Sequence, residues 1–125
     1  MSNPELQSIA PVLNVNSRTM RPMLDFFTVK LGFDIDTTLG DKPQFAMLKK
    51  DDQVVMLACK PIIPWPHKGW AMYIWVDDID SLYAELQQRN APIKAAPVLK
   101  DYGCMEFKVA TPDRREIVFG QIIEK

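Results

Sequence analysis

Residues 107–119 read FKVATPDRREIVF and residues 45–57 read FAMLKKDDQVVML, so one pattern occurs twice, 62 positions apart. In both segments an apolar run leads into a charged turn and a second apolar run follows, which is typical of two adjacent strands. Upstream, VLNV at 12–15 matches YIWV at 73–76, which lies 61 positions later. A repeat of this period in a chain of 125 residues predicts two copies of one supersecondary unit.

The first copy has the pattern of one strand, one helix and three further strands. The predicted strands cover residues 9–15, 33–39, 43–49 and 53–60. The apolar face of the predicted helix carries Met20, Leu24, Phe27 and Leu31. Ser17 or Thr19 can cap this helix, Pro22 suits its first turn and Gly32 suits its end. The first unit is therefore predicted to be βαβββ.

The second copy repeats that order. Its predicted strands cover residues 70–76, 93–99, 104–110 and 116–123. Its helix has an apolar set of Ile79, Leu82, Tyr83 and Leu86. Asp77 or Asp78 is expected to cap the helix, and Asn90 and Pro92 to end it.

The sequence predicts a single domain over 1–125, with module one at 9–60 and module two at 70–123. Between them, 61–69 contains three prolines in nine residues, which disfavours any regular element and indicates a connector. We expect an α+β fold in which the two βαβββ modules form a curved, barrel-like mixed sheet. Its concave cleft is the place where a small molecule would bind.

Charge and composition exclude several classes of partner. A net charge of −1 argues against a nucleic-acid surface, and no apolar run reaches the roughly 18 residues of a membrane helix. The N-terminus lacks a basic segment followed by an apolar stretch, so no signal peptide is predicted. Cys59 and Cys104 are far apart and form no CxxC pair. We therefore expect reduced thiols and a cytoplasmic protein.

Alternation along the strands predicts which side chains face the cleft. On the second module, Met105, Phe107 and Val109 should pack on the helices, as should Trp70 and Met72. The residues predicted to face the cleft are Ala10, Val12, Asn14, Met56, Ala58, Lys60, Ala71, Tyr73, Trp75, Cys104, Glu106, Lys108, Ala110, Glu116, Val118 and Gly120.

Three segments resemble the vicinal oxygen chelate superfamily, which includes glyoxalase I, extradiol dioxygenases and the fosfomycin- and bleomycin-resistance proteins. They are DFFTVKLGF at 25–33, WVDDID at 75–80 and EFKVATPDRREIVF at 106–119. The resemblance extends over about 9–121 and implies the paired βαβββ fold. Two departures from the family's hairpin are Thr111, where an Asp is usual, and Arg114, where a turn Gly is usual.

Metal enzymes of this superfamily carry one ligand on each of strands one, four, five and eight. The resemblance puts these positions at Ala10, Met56, Ala71 and Val118, or at Val12 if strand one is shifted by two residues. None of these side chains is an imidazole, carboxylate or thiolate, which divalent cations require. The resemblance therefore implies no metal or other cofactor, and favours the metal-free bleomycin-resistance-like branch.

That branch implies binding without catalysis, by a homodimer whose clefts are lined by aromatic residues. Tyr73 and Trp75 are the main candidates, because flat aromatic rings stack on planar ligands. Trp65, held between two prolines of the connector, could cover the cleft of its own subunit or of a partner. We therefore expect the ligand to be a small, partly aromatic molecule. Bleomycin-type binders are markedly acidic and this chain is not, which argues against bleomycin itself.

The polar candidates leave alternatives open. Glu106 and Lys108 lie two apart on one strand, and either orient a polar group of the ligand or simply satisfy each other. Asn14 could hydrogen-bond a ligand, whereas Met56 is expected mainly to pack.

Two other functions compete with ligand binding. One is a metal-dependent glyoxalase-like lyase, isomerase or dioxygenase whose ligands come from displaced positions such as His67, Glu106 and Glu116. The other is an immunity or scaffold protein without a small ligand.

Overall fold

Two four-stranded sheets form the framework of the protein in a computed structural model, which describes residues 3–60 and 69–123. The elements are β1 (Val12–Asn16), α1 (Met20–Asp25), a π-helical turn (Phe26–Lys30), β2 (Asp34–Leu39), β3 (Phe45–Lys50), β4 (Gln53–Lys60), β5 (Trp70–Trp75), α2 (Ile79–Gln88), β6 (Val98–Leu99), β7 (Cys104–Ala110) and β8 (Glu116–Ile122).

Both sheets have the same topology. Their strand orders are β1-β4-β3-β2 and β5-β8-β7-β6. In each, the first strand of the unit pairs in parallel with the fourth, and the other pairings are antiparallel. Neither sheet closes on itself, since β1 and β2 are the edges of one and β5 and β6 of the other. The predicted α+β fold of two βαβββ units is confirmed.

Two strands are shorter than predicted by two residues or more, and prolines explain both differences. Strand β1 begins at Val12 rather than Ile9, because Pro11 has no N–H and contributes only its carbonyl, which accepts from Met56 N at 2.9 Å. The strand predicted at 93–99 is reduced to β6 and one isolated bridge between Ile93 and Val109. Pro97 directly precedes β6 and interrupts the predicted strand.

The first helix buries the predicted apolar face but is not a uniform α-helix. Its last turn widens into the π-helical turn, in which Leu31 N donates to Phe26 O at 3.1 Å. The wider turn allows both Phe26 and Phe27 into the core, with their rings edge to face at 5.5 Å. The predicted capping role is wrong, because Thr19 occupies the cap position but its hydroxyl bonds Asn16 instead of the helix.

The second helix begins as predicted at Asp78. The Asp78 carboxylate accepts hydrogen bonds from the Ser81 hydroxyl and backbone N–H, which hold the pKa of this carboxyl below its usual value. Ile79 N donates to Gln121 Oε1 at 2.9 Å, so a residue of β8 satisfies another open donor at this helix end. These contacts fix the start of α2 against the second sheet.

One hydrophobic core joins both units. Its buried members include Leu13, Phe27 and Leu57 from the first unit and Leu86 and Ile117 from the second. The burial of Leu13, and of Phe107 and Val109 on β7, agrees with the predicted alternation.

Two arginines of the second unit also reach backbone carbonyls of the first. Arg89 Nη1 donates to Val29 O at 3.2 Å, and Arg115 Nη2 donates to Asn14 O at 3.1 Å. The division into modules at 9–60 and 70–123 stays a prediction, because most of the connector at 61–69 lies outside the described residues.

Candidate functional site: an aromatic face on the second sheet

A bulge in β5 creates the most distinctive surface of the described chain. Trp70 pairs with Glu116 and Met72 with Ile117, so β5 carries one extra residue, Ala71, at this point. The extra residue reverses the alternation before it. Trp70 therefore lies on the same side as Tyr73, and Ala71 packs toward the core. The predictions that Trp70 faces the helices and Ala71 the cleft are wrong.

Three aromatic rings consequently lie in a row along β5. The ring centroids of Trp70 and Tyr73 are 5.8 Å apart, and those of Tyr73 and Trp75 are 4.5 Å apart. Trp70 and Trp75 keep 52% and 58% of their surface exposed. We call this surface the aromatic face. It comprises Trp70, Tyr73, Trp75, Glu106, Lys108 and Gly120.

Gly120 on β8 gives Tyr73 its position. In the sheet register Gly120 lies between Trp75 on β5 and Glu106 on β7. A Cβ atom at Gly120 would be 1.8 Å from the Tyr73 hydroxyl, so only glycine leaves room for the ring to cross β8. Glycine within a strand often marks such a close approach, and that signal was available in the sequence.

Glu106 is the polar centre of the aromatic face. Its side chain is only 2% exposed, and its Oε2 atom accepts a hydrogen bond from the Tyr73 hydroxyl at 2.8 Å. Tyr102, from the turn that precedes β7, donates to the same oxygen. Tyr102 lies in a polar turn and carries no distinguishing pattern, so the sequence does not point to it.

Lys108 does not pair with Glu106 in the part of the chain that the structure describes. Its ammonium instead lies 5.6 Å from the centroid of the Trp70 ring, a cation–π distance. Lys94 Nζ contacts Glu116 Oε2 at 2.7 Å, and this hydrogen bond, with a smaller effect of the Lys108 charge, lowers the pKa of Glu116. The alternative of a mutually satisfied Glu106–Lys108 pair is therefore wrong.

The other predicted site residues lie elsewhere. Asn14 and Met56 belong to the first sheet, where Asn14 is exposed and Met56 pairs with Val12 and Met47. The structure thus brings Tyr73, Trp75, Glu106 and Lys108 together on one sheet and leaves Asn14 and Met56 on the other. Trp65 and His67 lie outside the described residues, and the predictions for them remain open.

The positions at which related enzymes hold a metal do not suit one here. In the observed register Val12 is beside Met56, and the bulge places Tyr73, instead of the predicted position Ala71, beside Val118. Three of these side chains offer no oxygen, imidazole or thiolate, and the Tyr73 hydroxyl already donates to Glu106. Within residues 3–60 and 69–123, no group of three or more His, Cys, Asp or Glu side chains is placed to hold a metal ion.

The two outer rings of the aromatic face, Trp70 and Trp75, are more than half exposed in the described part of a single chain. Two hollows of about 430 and 380 Å³ are lined by none of the residues of that face. The larger is lined by Tyr83, Gln87, Asn90, Ala91, Ile93, Ala95 and Ala96. The smaller is lined by Gly69, Lys94, Ala110, Arg114, Arg115 and Glu116. Among the described helices, none is long and apolar enough to span a bilayer.

The two tyrosines that contact Glu106 should lose their protons at a higher pH than an ordinary tyrosine. The hydrogen bond to Glu106 is the main cause that raises the pKa of Tyr102 to about 12, and burial followed by the same carboxylate raises the pKa of Tyr73. The stability that the hydrogen bonds of these neutral phenols contribute is therefore complete below pH 10 and is lost as the pH rises towards 12.

In Glu106→Gln we expect both tyrosines to ionise at a lower pH than in the unmodified protein. The ultraviolet absorbance of the phenolate form would measure this ionisation.

Glu85→Gln is the matched control for this titration. Glu85 is an exposed residue of α2 whose carboxylate pairs with Arg89 at 3.5 Å, so the change removes one charge that takes no part in the contacts of Tyr73 and Tyr102. Its alkaline titration should be that of the unmodified protein. An identical titration in Glu106→Gln would contradict the assigned contacts.

A family model described as "Glyoxalase/Bleomycin resistance protein/Dioxygenase superfamily" matches residues 8–119 of the chain. No curated protein matches it.

Solved structures share the fold at low sequence identity. A glyoxalase-related enzyme from Clostridium phytofermentans has a TM-score of 0.76 and 17% identity, with 98% of this chain and 100% of that chain covered. TnmS3, an antibiotic binding protein from Streptomyces sp. CB03234, has a TM-score of 0.70 and 21% identity, with 95% and 99% covered. TioX from Micromonospora sp. ML1 has a TM-score of 0.69 and 15% identity, with 92% and 98% covered.

Proposed function

Since this chain belongs to the glyoxalase/bleomycin resistance protein/dioxygenase superfamily, we propose that it binds a small, partly aromatic molecule on the aromatic face, without a metal ion. The observation that carries this proposal is the row of Trp70, Tyr73 and Trp75. Two of these rings are more than half exposed on a strand whose other side packs on the core. Large exposed aromatic side chains in contact with each other are unusual on a surface with no binding role.

The surroundings of the row favour a planar ligand. The exposed rings of Trp70 and Trp75 offer flat surfaces for stacking, which costs little conformational entropy because the strand already orders them. Gly120 adds no side chain beside Trp75, so the ring of Tyr73 lies flat enough against β8 to continue the row of aromatic surfaces. The fold is also that of TnmS3, an antibiotic binding protein, which supports an antibiotic-like molecule as one class of ligand.

A second copy of the chain would complete the site. The aromatic face is open in one chain, and several other apolar side chains around both sheets are about half exposed. They include Val12, Leu39, Val98, Leu99 and Ile122. Pairing of two copies would cover this area and turn the open face into a cleft. The homodimer and the cytoplasmic location both stay predictions.

The metal-dependent enzyme has less support. Of its proposed ligands, Glu106 accepts two hydrogen bonds from tyrosines and Glu116 forms an ion pair with Lys94. Neither carboxylate belongs to a group of three or more His, Cys, Asp or Glu side chains that could hold a metal ion among the described residues. Elemental analysis of the purified protein would restore this alternative if it found a stoichiometric transition metal.

Replacing Trp75 with alanine tests the proposal. Two planar tricyclic probes of opposite charge, proflavine and anthraquinone-2-sulfonate, should both bind, and their affinities should be measured by calorimetric titration. Removal of the indole should weaken both by about tenfold, because a stacked aromatic pair contributes around 1 kcal/mol or more.

Val29→Ala is the control for this experiment. Val29 lies in the π-helical turn and is 57% exposed, close to the exposure of Trp75, so the variant loses a similarly exposed apolar group away from the aromatic face. It should bind both probes as the unmodified protein does. If neither probe binds the unmodified protein, or if Trp75→Ala binds both unchanged, the aromatic face is not the ligand site.

A further inference from the structure

One oxygen of the Glu106 carboxylate has no protein partner. Oε2 accepts from two tyrosines, whereas Oε1 is buried and receives no hydrogen bond from any described residue. Buried carboxylate oxygens normally accept a hydrogen bond, since a buried oxygen without a donor costs free energy that no other interaction offsets. A side chain that is 2% exposed and only half satisfied is therefore a candidate contact for a group that the chain itself does not supply.

The sheet register places this carboxylate at the edge of the aromatic face. Trp75, Gly120 and Glu106 occupy one row across β5, β8 and β7. Adjacent strands are about 4.8 Å apart, so Glu106 lies roughly 10 Å across the sheet from Trp75. That distance is comparable to the length of a fused tricyclic ring system. The ring of Tyr73 spans this distance, since it crosses β8 above Gly120 and its hydroxyl reaches Glu106. A planar molecule stacked on Trp75 can therefore continue over the Tyr73 ring and place its far edge beside Glu106.

We propose that Glu106 accepts a hydrogen bond from a cationic group, a protonated amine or amidine, at the edge of a planar aromatic ligand. This inference rests on the proposed function of the aromatic face. A carboxylate oxygen can only accept, and a positively charged N–H donor both satisfies it and balances its charge.

The other charges near the site agree with this orientation. Lys108 lies against Trp70, at the opposite end of the row from Trp75, and would repel a cation placed there. Glu116 is already neutralised by Lys94. Glu106 is thus the one carboxylate on the described aromatic face that is held by neutral hydroxyls rather than by a cation.

Of the two tyrosines that bond Glu106, Tyr102 is the one that can move more easily. It is 61% exposed and lies in the turn between β6 and β7, and its hydroxyl donates to Oε2. Moving this ring aside would free the carboxylate of one donor at little loss of buried surface, and Tyr73 would still hold Oε2.

The test compares the two probes in charge variants. Proflavine is cationic and anthraquinone-2-sulfonate anionic, and both are planar tricyclic molecules. We expect the unmodified protein to prefer proflavine, and Glu106→Gln to weaken proflavine on the order of ten- to a hundredfold, as for a hydrogen bond to a charged group. The affinity for the sulfonate should not fall. Glu85→Gln should leave both affinities unchanged.

A second variant protects the test against a folding defect. Glu106→Asp keeps the negative charge but moves it one methylene further from the ligand, so this variant should also lose affinity for proflavine. The melting temperature of each variant is measured in parallel to detect a folding defect. Equal weakening of both probes by Glu106→Gln, or no preference between them in the unmodified protein, would overturn the cation site and leave the aromatic face intact. Failure of both probes to bind would instead reject the proposed function, and the cation site with it.

Discussion

Replacing Arg115 with methionine should lower the free energy of unfolding by about 3–5 kcal/mol, the usual cost of removing one partner of a buried ion pair. Arg115 lies against Asp113, with Nε 3.1 Å from Oδ2, and the two side chains are 12% and 0% exposed. The same guanidinium also bonds Asn14 O in β1. Methionine retains the apolar stem but supplies neither interaction, and leaves the Asp113 charge buried without its guanidinium. Urea denaturation followed by circular dichroism would measure the loss.

Two further variants identify the cause of that loss. Lys94→Met removes the cation of an ion pair whose side chains are 54% and 20% exposed, and such pairs contribute about 1 kcal/mol or less. Asp113→Asn combined with Arg115→Met removes both charges, and should recover part of the stability lost in the single variant. A loss in Arg115→Met no larger than in Lys94→Met would show that the buried pair does not stabilise the protein as described.

Replacing Gly120 with alanine should destabilise the protein by about 2–4 kcal/mol and abolish binding of both planar probes. The new Cβ would lie 1.8 Å from the hydroxyl of Tyr73 and 2.5 Å from its Cζ atom, so the ring must leave its place. Its movement breaks the hydrogen bond to Glu106 and disturbs the contact with Trp75. The free energy of unfolding and the probe affinities should be measured on the same preparation.

The double variant with Tyr73→Ala separates steric conflict from a backbone effect. Once the ring is absent, Gly120→Ala should cost less than about 1 kcal/mol, or stabilise slightly, since alanine is less flexible than glycine in the unfolded chain. An undiminished cost in the Tyr73→Ala background would mean that the glycine serves the backbone rather than the ring.

Much of the fold follows directly from local patterns in the sequence. The repeat at 45–57 and 107–119 corresponds to the two hairpins β3–β4 and β7–β8. The burial of Leu13 and Val109 follows from the period of two along strands, and Asp78 caps its helix as the chemistry of its side chain predicts. These features depend on residues that are close together in the chain, so they can be predicted from the sequence alone.

The candidate site depended on relations between distant residues. The alternation along the strands placed Tyr73 and Glu106 on one face. It gave no sign of the bulge at Ala71, which adds Trp70 to that face, because a bulge is defined by pairing with the partner strand β8. Likewise, of the two alternatives left open for Glu106, the pair with Lys108 does not form. Glu106 instead accepts a hydrogen bond from Tyr73, 33 positions away, since the missing side chain at Gly120 lets that hydroxyl approach.

The sequence by itself therefore determined the repeated units, their order and the residue types available for binding. Only the tertiary structure decided which of those residues meet, because strand register and the space left by a missing side chain arise when non-adjacent strands pair.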